Sequence, residues 1–248
     1  RPTTKLWDNG KQKVYRITTR GGAVIECTGN HDLMTDGGKK NVEAGLLVGD
    51  ALVVPNIPID VKDTSVLRDH EVIGLAHMIA EGNLRKRKRK DGTVRKVAVF
   101  TNKDGYMLHD FKACLIESGN SFSEVWRDTI TGRVCNVVSN QGGLVDCVDD
   151  MGCDVLSGDK FIPDEVFRLN NNRLRVFIGR LYSGDGDVYF AKKGGISIKY
   201  TSKSERLTRQ IGSILSSRFG IKSTIRIQRG KRTPTYVDDK GEVKSHIT

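Results

Sequence analysis

The sequence has no run approaching 18 consecutive apolar residues, which excludes a membrane-spanning helix. Its opening, Arg1-Pro2-Thr3-Thr4-Lys5, lacks the apolar core of a signal peptide. The expectation is therefore a soluble chain that is intracellular, in the cytoplasm. No Cys-x-x-Cys pair is present, which argues against structural zinc. The five cysteines, Cys27, Cys114, Cys135, Cys147 and Cys153, are scattered and odd in number, and read as reduced thiols. With 37% hydrophobic residues the chain is too apolar for intrinsic disorder. Its 248 residues are enough for one large domain or two smaller ones.

Acidic charge is also in short supply. Lys and Arg number 41 against 30 Asp and Glu, a net charge of +11. Residues 1–60 carry only +1 of this excess and residues 61–248 carry +10. A folded region with that surplus favours a polyanion, because each Lys or Arg placed at a phosphate releases condensed counterions. Nucleic acid is the leading partner and a membrane is not.

Hydrophobic patterning divides the chain near residue 60. Residues 13–20 alternate apolar with polar, Gly21-Gly22 reads as a two-residue turn, and residues 23–27 return as the partner strand. A further strand is expected over 46–54, before the breaks at Pro55 and Pro58. Beyond the boundary, Thr64 or Ser65 is expected to cap a helix that runs through Val72–Ala80 and stops at Glu81-Gly82. Strands over 84–90 and 95–101, a helix over 106–117 and strand-like residues 122–138 follow. The order then returns: an apolar helix over 175–183, strands over 188–191 and 196–201, a helix over 205–219 and a strand over 223–228. The expected fold class is α+β, with an αββαβ unit repeated about a pseudo-two-fold axis and preceded by an all-β segment.

Each repeat begins with an apolar helix ending in small residue, acid, glycine: Ala80-Glu81-Gly82 and Gly184-Asp185-Gly186. The acids are 104 positions apart. If the two helices pack side by side, Ala80 and Gly184 let the backbones approach closely. Two carboxylates held together repel, so a proton or a cation is needed beside them. A hard divalent ion bridging to phosphate suits a basic surface. A negative side chain at a helix C-terminus also opposes the macrodipole, so its repetition needs a reason.

Val72-Ile-Gly-Leu-Ala-His-Met-Ile-Ala-Glu-Gly-Asn-Leu84 and Phe177-Ile-Gly-Arg-Leu-Tyr-Ser-Gly-Asp-Gly-Asp-Val188 resemble the paired dodecapeptide motifs of LAGLIDADG homing endonucleases. Lys160-Phe-Ile-Pro-Asp-Glu-Val166 resembles the lysine-bearing segment that precedes the second motif in intein-borne members, and Leu207–Ile221 resembles their later helix. The resemblance spans about residues 65–228 and implies an endonuclease domain over 61–248, with repeat 1 about 65–158 and an incomplete repeat 2 about 160–248. It implies that Glu81 and Asp185 hold Mg2+ (magnesium) at the centre of a DNA minor groove, one acid for each scissile phosphate. Lys160 is then the candidate for stabilising developing charge, and the product is a double-strand break with short 3′ overhangs. Within the motifs, Glu81 stands where Asp is commoner, and Arg180 occupies a helix-interface position often filled by a small residue. His77 reads as a core or interface side chain rather than a ligand.

Thr28-Gly-Asn-His31 matches the Thr-x-x-His motif of the intein splicing (Hint) fold, so residues 1–60 resemble a partial Hint segment. By position, His31 inherits the role of polarising the scissile amide and Thr28 that of assisting it. Such a protein would be flanked by host segments (exteins) in its precursor. The terminal nucleophile and the final His-Asn of that family are lacking, since Arg1 is first and Ser245-His246 is not followed by Asn. The expectation is a trimmed intein that does not splice alone.

DNA contact is expected from the strands. Arg85, Lys86, Arg87, Lys88, Arg89 and Lys90 would alternate between two faces of a strand, one entering the groove and the other reaching phosphates. In the second repeat Lys192, Lys193, Lys199, Arg226 and Arg229 would take the equivalent place. Because one chain carries both halves, the expected form is a monomer on a long, nonpalindromic double-stranded target. The competing reading is a DNA-binding remnant whose cleavage has decayed through Glu81 or the packing at Arg180.

Overall fold

The computed structural model describes residues 7–54, 58–88, 91–129, 132–140, 142–190 and 194–228, together with two short strands near the C-terminus. The N-terminal part is two antiparallel hairpins, β1 (Val14–Thr18) with β2 (Val24–Thr28), and β3 (Asp32–Thr35) with β4 (Gly38–Asn41). The first turn is a three-residue loop rather than the expected two-residue one. Thr19 N–H donates to the Ala23 carbonyl, and only Gly22 adopts a positive φ, +86°. The strand expected over 46–54 is reduced to a single bridge between Leu52 and Thr35. Gly49 at φ +107° turns the chain, and the Asp50 carboxylate accepts from Leu47 N–H and from Lys40, which closes a loop where the ladder would continue.

The helix α1 (Asp69–Glu81) starts later than the expected cap at Thr64 or Ser65. Thr64 N–H donates to the Arg168 carbonyl and Val66 N–H to the Glu165 carboxylate, so this stretch is committed to other partners. Glu71 instead closes the helix start by accepting from Arg68 N–H at 2.7 Å. Val72, Leu75, Ala76, His77, Met78, Ile79 and Ala80 are all buried, so α1 is enclosed on nearly every side. It runs directly into β5 (Gly82–Lys88), followed by β6 (Val94–Asn102), α2 (Gly105–Glu117), β7 (Phe122–Thr129), β8 (Gly132–Asn140) and α3 (Gly143–Asp150). The four strands form one antiparallel sheet in the order β5-β6-β8-β7. The first half is thus αββαββα, one strand and one helix longer than expected.

After the short α4 (Asp164–Phe167), the order returns in α5 (Asn171–Asp185), β9 (Gly186–Phe190), β10 (Ile196–Tyr200) and α6 (Glu205–Phe219). Asp104 and Ser204 cap α2 and α6 in the same way, each accepting from the backbone N–H three residues on. Residues 223–228 are not a strand: Ile225 N–H donates to the Gly21 carbonyl, and Arg209 donates to the carbonyl of Gly22. The segment is held against the N-terminal turn instead of extending the β9–β10 sheet. The last two short strands are β11 (Tyr236–Val237) and β12 (Val243–Lys244).

A single apolar cluster joins both halves. It combines Leu75, Phe100, Phe111 and Val137 with Leu174, Phe177, Leu181, Leu207 and Ile214. At its centre α1 packs against α5. A Cβ built on Gly184 would lie 2.7 Å from the Ala80 Cβ, so the glycine is what permits the approach. Further back along the same pair, Arg173 donates to Asp69 at 2.7 Å and to the carbonyl of Leu67, tying the start of α5 to the start of α1. Among the described residues, no helix is long and apolar enough to cross a membrane.

The helix contact can be tested with two glycines of the same helix. Gly184→Ala should destabilise by about 1–3 kcal/mol through overpacking. Gly179→Ala, where nothing lies within 4 Å of the added carbon, should stabilise by up to about 1 kcal/mol from helix propensity. Urea unfolding monitored by circular dichroism reads both, and equal effects would contradict the close approach.

Candidate active site

Glu81 is the last residue of α1 and Asp185 the last residue of α5, so the helix pair delivers both carboxylates to one end. The position of a Cβ on Gly184 lies 3.4 Å from the Glu81 Cγ. Both acids are half-buried. Burial pushes the Glu81 carboxyl above its ordinary value, and the neighbouring Asp185 carboxylate pushes it the same way, against the opposing charge of Lys160. Burial also raises Asp185, opposed by a hydrogen bond from Tyr200 and by Lys160.

Lys160 is half-buried rather than solvent-exposed. Its Nζ donates to the carbonyls of Ala80 at 2.9 Å and Gly82 at 3.3 Å, so its ammonium sits on the C-terminal end of α1. A cation there offsets the macrodipole that the terminal acid opposes. Burial lowers the Lys160 pKa while Asp185 and Glu81 hold it up. Its backbone is fixed in turn, because the Ser204 hydroxyl donates to the Lys160 carbonyl while capping α6.

A recess of about 300 Å3 opens beside Glu81, lined also by Thr101, Asn102, Lys103, Asp104, Met107, Ser183 and Gly184. Sequence reasoning missed these residues and Tyr200. A signal was available for two of them: Thr101-Asn-Lys103 recurs as Thr201-Ser-Lys203 directly before the caps of α2 and α6. Thr101 also donates to the Asn136 side chain at 2.7 Å, which links the recess to the face of the sheet turned away from the helices.

Pairing sorts the basic strand. Leu84 pairs with Ala98 and Gly82 with Phe100, and Leu84, Ala98 and Phe100 belong to or pack on the core, so this face looks to the helices. Lys86 and Lys88 fall on that side by alternation, beside Lys96, which is paired with Asp149 and Asp154. Arg85 and Arg87 fall on the other face with Asn83 and Arg95. All four of the described residues Arg85–Lys88 are exposed. Lys199 pairs across from Asp187 on the corresponding face of the β9–β10 ribbon and is exposed, as is Arg226. Arg89, Lys90, Lys192, Lys193 and Arg229 lie outside the described residues.

Thr28 ends β2 and His31 immediately precedes β3; His31 N–H donates to the Thr28 carbonyl and the Thr28 hydroxyl donates to Asn30. They are on different elements from the acid pair. Arg180 and His77 have a role that sequence reasoning did not foresee. The Asp110 carboxylate of α2 accepts from Arg180 Nε at 2.6 Å and meets His77 Nε2 at 2.7 Å. One carboxylate therefore ties all three helices, and Arg180 is accommodated rather than misfitted. Burial would raise Asp110, but Arg180 and His77 hold it below its ordinary value. His77, fully enclosed between Phe100 and Phe111, is itself pushed down by burial.

Residues 173–245 match a LAGLIDADG-like domain. The match begins in α5 and includes Asp185 and α6. The chain is 24% identical over 244 residues to the replicative DNA helicase DnaB of Synechocystis, covering 94% of this chain and 27% of that protein. It is also 24% identical over 231 residues to the protein RecA of Mycobacterium tuberculosis, covering 91% of this chain and 28% of that protein. The chain thus spans little more than a quarter of the curated relatives it matches. Among solved structures, I-DmoI in complex with DNA and Mn aligns with a TM-score of 0.44 and 17% identity, covering 69% of this chain and 83% of that one.

The donor set fits a hard divalent cation. Among the described residues no group of three or more His, Cys, Asp or Glu could form an all-protein cage. Two oxygen ligands from carboxylates, with water completing the shell, suit a hard divalent cation.

The raised carboxyl pKa values fix a pH dependence. Between the unfolded and folded values the folded state holds more protons, so this contribution is complete at acid pH and is lost as pH rises. Glu81→Gln and Asp185→Asn should each raise the thermal midpoint at pH 7 in EDTA, with the difference from wild type closing near pH 4. Scanning calorimetry across that range checks it; a loss of stability at pH 7 would contradict the assignment of repulsion and burial to this pair.

Proposed function

We propose that the chain is a site-specific homing endonuclease that makes a metal-dependent double-strand break in DNA, carried with a partial splicing segment as part of an intein. The observation that carries this reading is that Glu81 and Asp185 end two closely packed helices, both with raised carboxyl pKa values, with Glu81 lining an open recess. Glu81 and Asp185 would hold Mg2+, which when bound polarises the scissile phosphodiester and stabilises the charge that develops in its displacement. Lys160 adds a positive charge within reach of the same field and orients the end of α1. Lys103, which lines the recess, would add an ammonium toward a phosphate bound there.

Arg85, Arg87 and Arg95 from β5 and β6, and Lys199 from β10, would enter a DNA groove, while Lys86 and Lys88 remain nearer the backbone. The two ribbons present different side chains at equivalent positions, which supports a long, nonpalindromic site read by a monomer. The intein reading draws support from portability. One segment aligns along nearly its whole length with both DnaB and RecA, while spanning about a quarter of each. It contains no Gly-x-x-x-x-Gly-Lys-Ser/Thr phosphate loop, so the shared part is not built around that nucleotide site. Thr28 and His31 would then belong to the splicing segment, with exteins on either side and a cytoplasmic location.

A supercoiled plasmid bearing the encoding gene, with the inserted segment deleted and its flanks joined, should be linearised in Mg2+. Asp185→Asn should reduce the rate by at least about a hundredfold while leaving gel-shift affinity within about threefold. Binding without cleavage by the wild type would establish the remnant reading instead.

A further inference from the structure

Residues 223–228 are where the second half departs from the first. Ser223 follows Gly220 by the same step as Phe122, the start of β7, follows Gly119, and both glycines have a positive φ, +67° and +73°. By that correspondence Ile225 stands where Glu124 does, and Arg226 where Val125 does. Glu124 pairs with Val137 on the helix-facing side of the sheet, whereas Val125 pairs with Asn136, which pairs with Thr101 on the outer face. β7 is held by β8, but among the described residues the backbone partner of 223–228 is the N-terminal hairpin. Ile225 N–H donates to the Gly21 carbonyl at 2.9 Å. A Cβ built on Gly22 would lie 2.8 Å from the Ile225 carbonyl oxygen and 2.9 Å from its Cβ. The Ile225 side chain also reaches α6, where a Cβ on Gly212 would lie 3.4 Å from its Cδ1, and Arg209 of α6 donates to the Gly22 carbonyl. Ile225 is half-buried in this clasp, while Thr224, Arg226, Ile227 and Gln228 are exposed.

Resting on the endonuclease reading, we propose that the Gly21-Gly22 turn of the N-terminal segment is a positioning element for the second half of the DNA-reading surface, acting through Arg226. The turn closes on Ile225 and α6 backs it, so alternation along the segment directs Arg226 to the outer face, where it would meet a phosphate or a base edge. Glycine suits the contact on two counts, the φ of +86° at Gly22 and the closeness of the Ile225 backbone. The N-terminal segment and the second half thus form one binding unit. Loss of the turn costs contacts on one side of the target and spares those made by β5 and β6.

The test is Gly22→Ala in the full chain, with Gly38→Ala as its control. Gly38 also has a positive φ, +99°, in the neighbouring hairpin, but nothing lies within 4 Å of its added carbon. The probe is an end-labelled duplex of the joined gene flanks, footprinted with DNase I in EDTA. Wild type and Gly38→Ala should protect both sides of the junction. Gly22→Ala should bind about tenfold more weakly and lose protection on one side alone. Arg209→Met, which removes the donor to the Gly22 carbonyl without crowding Ile225, should weaken the same side about threefold. Arg226→Ala should lose that side too, and combining it with Gly22→Ala should cost at most about twofold more, because both act through one contact. Full protection by both Gly22→Ala and Arg209→Met, an equal loss in Gly38→Ala, or additive losses with Arg226→Ala would overturn the inference and leave the endonuclease reading standing. A wild type that protects no site would overturn both.

Discussion

The architecture depends on how closely α1 and α5 approach at Ala80 and Gly184. A larger side chain at either position separates the helices, and the carboxylates that follow would part with them. With the helices this close, the Asp185 charge pushes the half-buried Glu81 carboxyl up, which opposes stability at neutral pH. The surroundings hold it by other means. Arg173 binds the two helices together at their starts, and Asp110 draws in both His77 and Arg180 near their ends. These contacts fix the rotation of each helix about its axis, which decides where the terminal acids point. The apolar cluster supplies the cohesion, and the polar network supplies the orientation.

The strands extend the same logic outward. Each helix passes into its first strand at the glycine after the acid, so the register of the hairpin is referenced to the site. Counting from Gly82 and Gly186, alternate residues turn toward the helices or away from them. A change at a given position therefore alters either the helix-facing side or the other face, and the outer faces of the two ribbons carry different side chains. Arg85 on one corresponds to Tyr189 on the other, and Asn83 to Asp187. Chemical difference between halves is thus stored where it does not disturb the helix contact.

Much of this was legible in the sequence. Small residue, acid and glycine at two helix ends, with apolar residues before them, marked the close packing of α1 on α5, and the helices over 106–117 and 205–219 fall within a residue of those expected. What failed did so for lack of long-range information. Arg180 read as a poor fit because its partner Asp110 is 70 residues away. Tyr200 gave no sign of its reach, since only the Gly186 pairing brings its hydroxyl back to Asp185. The strands expected over 46–54 and 223–228 have the right alternation, but their backbone groups find other partners. Leu47 bonds to Asp50 and Ile225 to the Gly21 turn. Alternation predicts that a segment can be a strand; it does not supply the neighbouring strand.

The placement of Lys160 bears most directly on function. A lysine near two carboxylates would ordinarily form a salt bridge, lower both pKa values and occupy their lone pairs. Here its hydrogen bonds go to the Ala80 and Gly82 carbonyls, and burial outweighs its charge, so Glu81 and Asp185 both remain above their ordinary values. The lysine makes the helix end tolerable without satisfying the acids. Glu81 lines the recess, Asp185 accepts from the Tyr200 hydroxyl, and the Asp185 charge still pushes the Glu81 carboxyl up. A site built for stability alone would have closed the ion pairs. Leaving two carboxylates short of positive charge is the feature on which the proposed cation site rests.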